Sequence, residues 1–245
     1  MSADSWLQYW DVQTDLDDGA WAKNADLLLD GSGSFFSLGK QDRVLDIGSG
    51  PGFLAASLKD RVESIHCVDT SARYMDEGRK RLAGAENVTF THLGADYLDR
   101  GFLGSERFTR IVCASVIQYF HDLAEVERLL TIVRQHAAPG ALLLIADIPE
   151  PQPLLRDFAG LVRTAWRQNY LTRVLWFTAR SLSGDYSRLR KRVGLLSVHR
   201  REMQQLLDKL GLRGEWLDTP LTLNDTRRHL LIHFSTDAVA IRTTA

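Results

Sequence analysis

Short apolar runs alternating with amphipathic stretches set the layout of this chain. Val44, Leu45 and Ile47 form the first run, partly β-branched, as expected of a buried strand. Ser64–Asp69, Asn87–Leu93, Phe108–Ser115 and Ala141–Asp147 follow as four more strands. Between them lie helical patterns: Phe53–Leu58, a stretch through Met75, Arg79 and Leu82 opened by Thr70-Ser71, and a face of Leu123, Val126, Leu129, Leu130 and Val133. Pro139-Gly140 is expected to end the loop before the fifth strand. Continuous apolar strands alternating with helices predict a parallel sheet covered on both faces.

The flanks read differently. Residues 1–30 carry Trp6, Tyr9, Trp10 and Trp21 in helical turns broken around Asp15–Gly19, with a second break at Gly31–Ser34. They are expected to lie outside the sheet, either covering its edge or capping a pocket with Tyr9 or Trp10 as a wall. Past Pro149, Pro151 and Pro153, residues 154–182 look helical, with Phe158, Leu161, Val162, Ala165 and Trp166 in a broad apolar stripe. A helix from 197 to Gly211 and two strands, 214–217 and 228–234, close the chain.

Chemistry concentrates where the first strand ends, at Asp46-Ile47-Gly48-Ser49-Gly50-Pro51-Gly52. Strand, glycine turn and helix bring bare backbone against a nucleotide-like ligand, because a Cβ would hold that ligand off. The third glycine falls one residue earlier than in the dinucleotide pattern, which disfavours an NAD-dependent oxidoreductase. Asp69 ends the second strand about 20 residues later, where one carboxylate can accept from both hydroxyls of a ribose.

This glycine spacing resembles motif I of the class I methyltransferases that use S-adenosylmethionine (SAM), and the later elements follow in that family's order. The resemblance is firm over 40–148, loose over 197–235, and does not account for 154–196. It implies an α/β, three-layer Rossmann-like fold: a mostly parallel seven-stranded sheet, last strand antiparallel, with a helical lid inserted after the fifth strand. One domain spans 1–245, made of a cap (1–38), a SAM-binding core (40–148), a basic lid (154–196) and closing elements (197–235). The cofactor would be SAM and the product S-adenosylhomocysteine (SAH). Asp46, Gly48, Gly50, Gly52, Asp69, Thr70, Ala95, Asp96 and Ser115 are the expected cofactor contacts, Asp96 (with Asp99 as fallback) meeting the adenine amino group.

Charge changes the picture of the lid. Residues 156–201 hold ten arginines and Lys191 against Asp157 and Asp185, a local net of +9, which leaves −10 on the remainder of a chain of net charge −1. One surface therefore favours anions. The reading this supports best is a small-molecule acceptor, anionic or aromatic, methylated at oxygen or nitrogen. The alternatives are a lipid-linked, carrier-bound or nucleic-acid substrate, or a SAM-binding module without turnover. Asn-Pro-Pro-Tyr does not follow the fourth strand, which disfavours methylation of nucleic-acid amino groups. Peripheral membrane contact is not the favoured reading, and a homodimer is compatible with the sequence.

Ser115, Gln118, Tyr119 and His121 should lie nearest the transferring methyl. His121 is the first candidate base, since imidazole titrates near neutrality, and His199 the second. Asp147 could orient substrate. Too few acids converge for a metal. Cys67 and Cys113 sit in apolar strands as buried thiols, and no run approaches the roughly 20 apolar residues of a membrane span, so a cytoplasmic location is expected.

Overall fold

The structure, a computed structural model, describes residues 5–12, 18–94, 96, 98, 104–167, 171 and 185–235. In chain order the elements are α1 (Trp6–Val12), α2 (Asp18–Ser32), β1 (Arg43–Ile47), α3 (Phe53–Leu58), β2 (Ser64–Asp69), α4 (Ala72–Arg81), β3 (Val88–His92) and β4 (Phe108–Ala114). A single 3₁₀ turn (Ile117–Tyr119), α5 (Leu123–His136), β5 (Ala137–Ile148), α6 (Leu154–Arg167), α7 (Asp185–Val193), α8 (Arg200–Leu210), β6 (Arg213–Leu217) and β7 (Arg228–His233) follow.

The seven strands form one sheet in the order β3-β2-β1-β4-β5-β7-β6. The pairs from β3 through β5 are parallel; β7 runs antiparallel to both β5 and β6. β1 is central because it has no polar face to show water: Val44, Leu45 and Ile47 are buried between β2 and β4. Two apolar layers result. Ile111, Leu143 and Ile232 meet α5 and α8 on one face, and Val44, Leu144 and Leu231 meet α2 and α3 on the other. Strand order reverses between β1 and β4, which opens a crevice at their carboxyl ends.

Local chemistry fixes the helix ends. Ser71 accepts from the Tyr74 N–H to start α4, and Asp122 accepts from the Ala124 and Glu125 N–H groups to start α5. Gly211, with φ 64°, closes α8.

Three expectations are corrected. β5 starts at Ala137 and runs through Pro139-Gly140; the two are exposed where its register against β4 shifts between Phe108 and Arg110, a place where a strand tolerates proline. α2 already includes Asp18 and Gly19, and it continues through Gly31 and Ser32, so the second break falls later. Of the helical stretch expected over 154–182, α6 accounts for 154–167; apart from Leu171, the rest lies outside the described residues, Trp176 and Phe177 included.

Candidate active site

Loop 48–52 turns by way of left-handed glycines: φ is 68° at Gly48, 53° at Gly50 and 78° at Gly52. A Cβ on Gly48 would lie 2.2 Å from Val116 Cγ2, and one on Gly50 would lie 2.8 Å from the Trp21 ring. The loop amides are spent inside the protein. Gly48 and Ser49 donate to the Val68 carbonyl (2.8 and 3.1 Å), Gly50 to Asp69 Oδ2 (2.9 Å), and Gly52 to the Ser49 carbonyl (3.2 Å). A pyrophosphate-binding loop needs such N–H groups turned toward the ligand.

Asp69 is held by backbone on both oxygens, since Ser71 N–H donates to Oδ1 at 2.9 Å while Gly50 holds Oδ2. Burial raises its pKa, and these N–H groups pull the other way. Below the loop, Asp46 is 4% exposed and its Oδ2 has no partner; burial, and then the charge of Asp69, push its pKa up to about 7.

A cavity of about 1070 Å³ opens over these strand ends. Its volume sits at the top of the ~300–1,000 Å³ span of single-ligand pockets. Gly48, Asp69, Thr70 and Tyr74 line one part. Ser115, Tyr119, Asp147, Asp157, Tyr186 and Arg227 line another. α1 and α2 supply a third wall through Trp6, Tyr9, Trp10 and Trp21. Trp6 packs 5.0 Å from Tyr119 and 5.3 Å from Tyr186, measured between ring centroids, and donates Nε1–H to the Gly194 carbonyl at 2.9 Å. The N-terminal helix and α7 are thereby joined across the cavity.

The carboxyl ends of β4 and β5 carry two strained residues side by side. Ser115 (φ 60°) and Asp147 (φ 67°) are both left-handed without being glycine, a conformation that persists only where surroundings enforce it. Ser115 Oγ donates to Asp147 Oδ2 at 2.7 Å, and Arg227 Nε stands 3.6 Å from Asp147 Oδ1. Arg227 also donates to Asp157 Oδ2 at 3.2 Å, and Arg190 reaches the same oxygen at 3.4 Å. Burial raises the pKa of Asp147, with Arg227 opposing. Beneath this network His229 is 1% exposed, and burial lowers its pKa to about 4. Its Nδ1 and Nε2 face the N–H groups of Asp147 and Leu221, each at 3.2 Å. A neutral imidazole accepts from one of them at a time.

Of the residues expected at the site, the fold gathers Gly48, Asp69, Thr70 and Ser115 onto the cavity wall. Gly50, Gly52 and Asp46 stand behind it. Asp96 is exposed and off the wall; Ala95 and Asp99 lie outside the described residues. The two histidines are not brought in. His121 has a side chain 84% exposed and pairs with Asp122 at 3.3 Å. His199 is exposed at the start of α8, where its N–H donates to Glu202 Oε2 at 3.1 Å. Neither belongs to the wall. Tyr74, Asp157, Tyr186 and Arg227 line the cavity without having been singled out for it. Asn224–Arg227, a polar turn feeding an apolar strand, was the available signal for Arg227.

A sequence profile described as a methyltransferase domain matches residues 45–143. This core is a methyltransferase domain. It contains β1 through most of β5, hence the glycine loop, Asp69 and Ser115. Over 133 residues (53% of the chain) the sequence is 32% identical to the chondramide synthase CmdD of Chondromyces crocatus, and it spans 3% of the length of that curated relative. Among solved structures, the N-methyltransferase NodS of Bradyrhizobium japonicum WM9, in complex with SAH, superposes with a TM-score of 0.57 at 17% identity, covering 93% of this chain and 95% of that one. The magnesium protoporphyrin IX methyltransferase ChlM of Synechocystis PCC 6803, with bound SAH, gives 0.57 at 15%, over 93% and 92%. A SAM-dependent methyltransferase of Leishmania major gives 0.63 at 15%, over 93% and 80%. At these identities the likeness is one of fold, and it extends beyond the profile match to the whole methyltransferase sheet.

Proposed function

We propose that the protein transfers a methyl group from SAM to a small-molecule acceptor, anionic or aromatic in character, at an oxygen or nitrogen. One observation carries this reading: the oriented carboxylate of Asp69 and the polar cluster of Ser115, Asp147 and Arg227 open on the same cavity. The residues suit the cofactor. A glycine-rich loop with internally satisfied amides accepts an uncharged ribose better than a pyrophosphate. Asp69 keeps lone pairs for ribose hydroxyls, with Gly48 and Thr70 beside it. SAM supplies a methyl group already activated by its sulfonium, so alignment and exclusion of water are the protein's main tasks.

The aromatic wall of Trp6, Tyr9, Trp10, Tyr119 and Tyr186 excludes water and offers flat faces to a ring-bearing acceptor. Asp147, rather than either histidine, stands where a proton of the acceptor can be received; Ser115 and Arg227 orient it. Asp69→Ala is the direct test. Calorimetric titration with SAH should show affinity reduced by about 1–3 kcal/mol, since ribose hydroxyls lose their acceptor. Unchanged SAH affinity in that variant, or a wild-type protein that takes up NADH and ignores SAH, would refute the assignment.

A further inference from the structure

Helix α6 buries Ala165 but turns several large apolar side chains outward. At 100° per residue, Asp157, Gly160 and Thr164 fall on one side, and Leu155, Phe158 and Trp166 fall opposite. The first set faces the protein: Gly160 and Thr164 are buried, and Asp157 bonds Asn224 Nδ2 at 2.8 Å. The second set faces out, with Leu155 82%, Phe158 42% and Trp166 72% exposed. Arg156, Arg163 and Arg167 occupy the flank between them and are exposed as well.

The position of this face gives it meaning. Five described residues line the cavity and are also exposed, and so form its mouth: Leu7, Leu155, Phe158, Lys191 and Ser197. Three are large and apolar, one is a cation, and none is a carboxylate. α7, tied to α6 through Arg190 and Asp157 (3.4 Å), adds exposed Arg188, Lys191 and Arg192 beside the mouth. We infer that the mouth of the cavity, formed by α6 with the basic end of α7, docks on an anionic lipid surface. Leucine, phenylalanine and tryptophan side chains enter the acyl boundary while arginine and lysine meet the headgroups. An acceptor with an apolar body then passes from bilayer to aromatic wall without crossing water. A protein partner would need a matching apolar patch, whereas a bilayer supplies one of any shape.

Flotation of the full chain with vesicles tests this independently of the reaction. Binding is expected to phosphatidylcholine vesicles containing about a third phosphatidylglycerol, to fall at least tenfold with phosphatidylcholine alone, and to weaken in 0.5 M salt, as screening of ~3 Å Debye length near 1 M implies. The double variant Trp166→Glu, Arg167→Glu, at exposed positions off the cavity wall, should lose vesicle binding at least tenfold while SAH affinity, read by calorimetry, certifies that the core is folded. Failure to float with either vesicle, equal binding to both, or undiminished binding of the double variant overturns the inference, as does partition to an added acidic carrier protein in place of vesicles. Intact SAH binding in those cases leaves the methyltransferase reading standing.

Discussion

Asp46→Asn is expected to stabilise the ligand-free protein above pH 7 and to lose that advantage as the solution is acidified. The carboxylate is buried under the glycine loop with Oδ2 unpartnered, and Asp69 adds a second negative charge nearby. Its pKa stands at about 7 in the fold against 3.8 unfolded. Between those values the folded chain binds more protons than the unfolded one, so stability falls as pH rises, and the full cost is present above pH 7. The gap corresponds to at most roughly 4 kcal/mol, and about 1–3 kcal/mol after the amide's own unmet hydrogen bonds are counted. At about 2–4 °C per kcal/mol for a chain of this size, calorimetric melting at pH 8 resolves it. A variant no more stable than wild type at pH 8, or one equally stabilised at pH 4, would show that Asp46 is not ionised against its surroundings.

Why should so costly a group sit there? In the sequence it is only the acid before the glycines, and the resemblance to motif I places it among the cofactor contacts. The structure puts it behind the loop, because β1 is a central strand and alternate side chains turn into the protein. The parallel sheet and the glycine turn were legible for a related reason: Val44-Leu45 and Leu142-Leu143-Leu144 read as strands buried on both faces, which a parallel sheet covered by helices provides. Extension of β5 through Pro139-Gly140 was not legible, since proline reads as a breaker until the register shift in its partner is seen. The histidines illustrate a different limit. Residue type alone marks His121 and His199 as candidate bases, but local sequence does not say which way a side chain turns, and both face solvent. Arg227 came to the site from a strand-leading turn 80 residues beyond Asp147 in the chain. Only the antiparallel pairing of β7 with β5 brings them together.

His229→Gln supplies the counterpart to the Asp46 experiment, and the two together are more demanding than either alone. Wild-type His229 is neutral in the fold, with a pKa of about 4 against 6.5 unfolded. Within that window the unfolded chain binds the extra proton, so His229 makes stability fall as pH falls, by roughly 3 kcal/mol over the whole interval. Asp46 acts in the opposite sense across nearly the same range. Relative to wild type, whose curve Asp69 and Asp147 also shape, the two variants should therefore shift the slope of stability against pH in opposite directions. Asp46→Asn removes one slope and leaves the fall toward acid; His229→Gln removes the other and leaves a rise toward acid. Glutamine retains one acceptor oxygen for the N–H of Asp147 or Leu221, as many acceptors as the neutral imidazole offers, so the variant at pH 8 should fold. Urea unfolding at half-unit steps from pH 4 to pH 8 gives all three curves. Parallel curves would mean that neither group titrates differently on folding, and would refute both assignments.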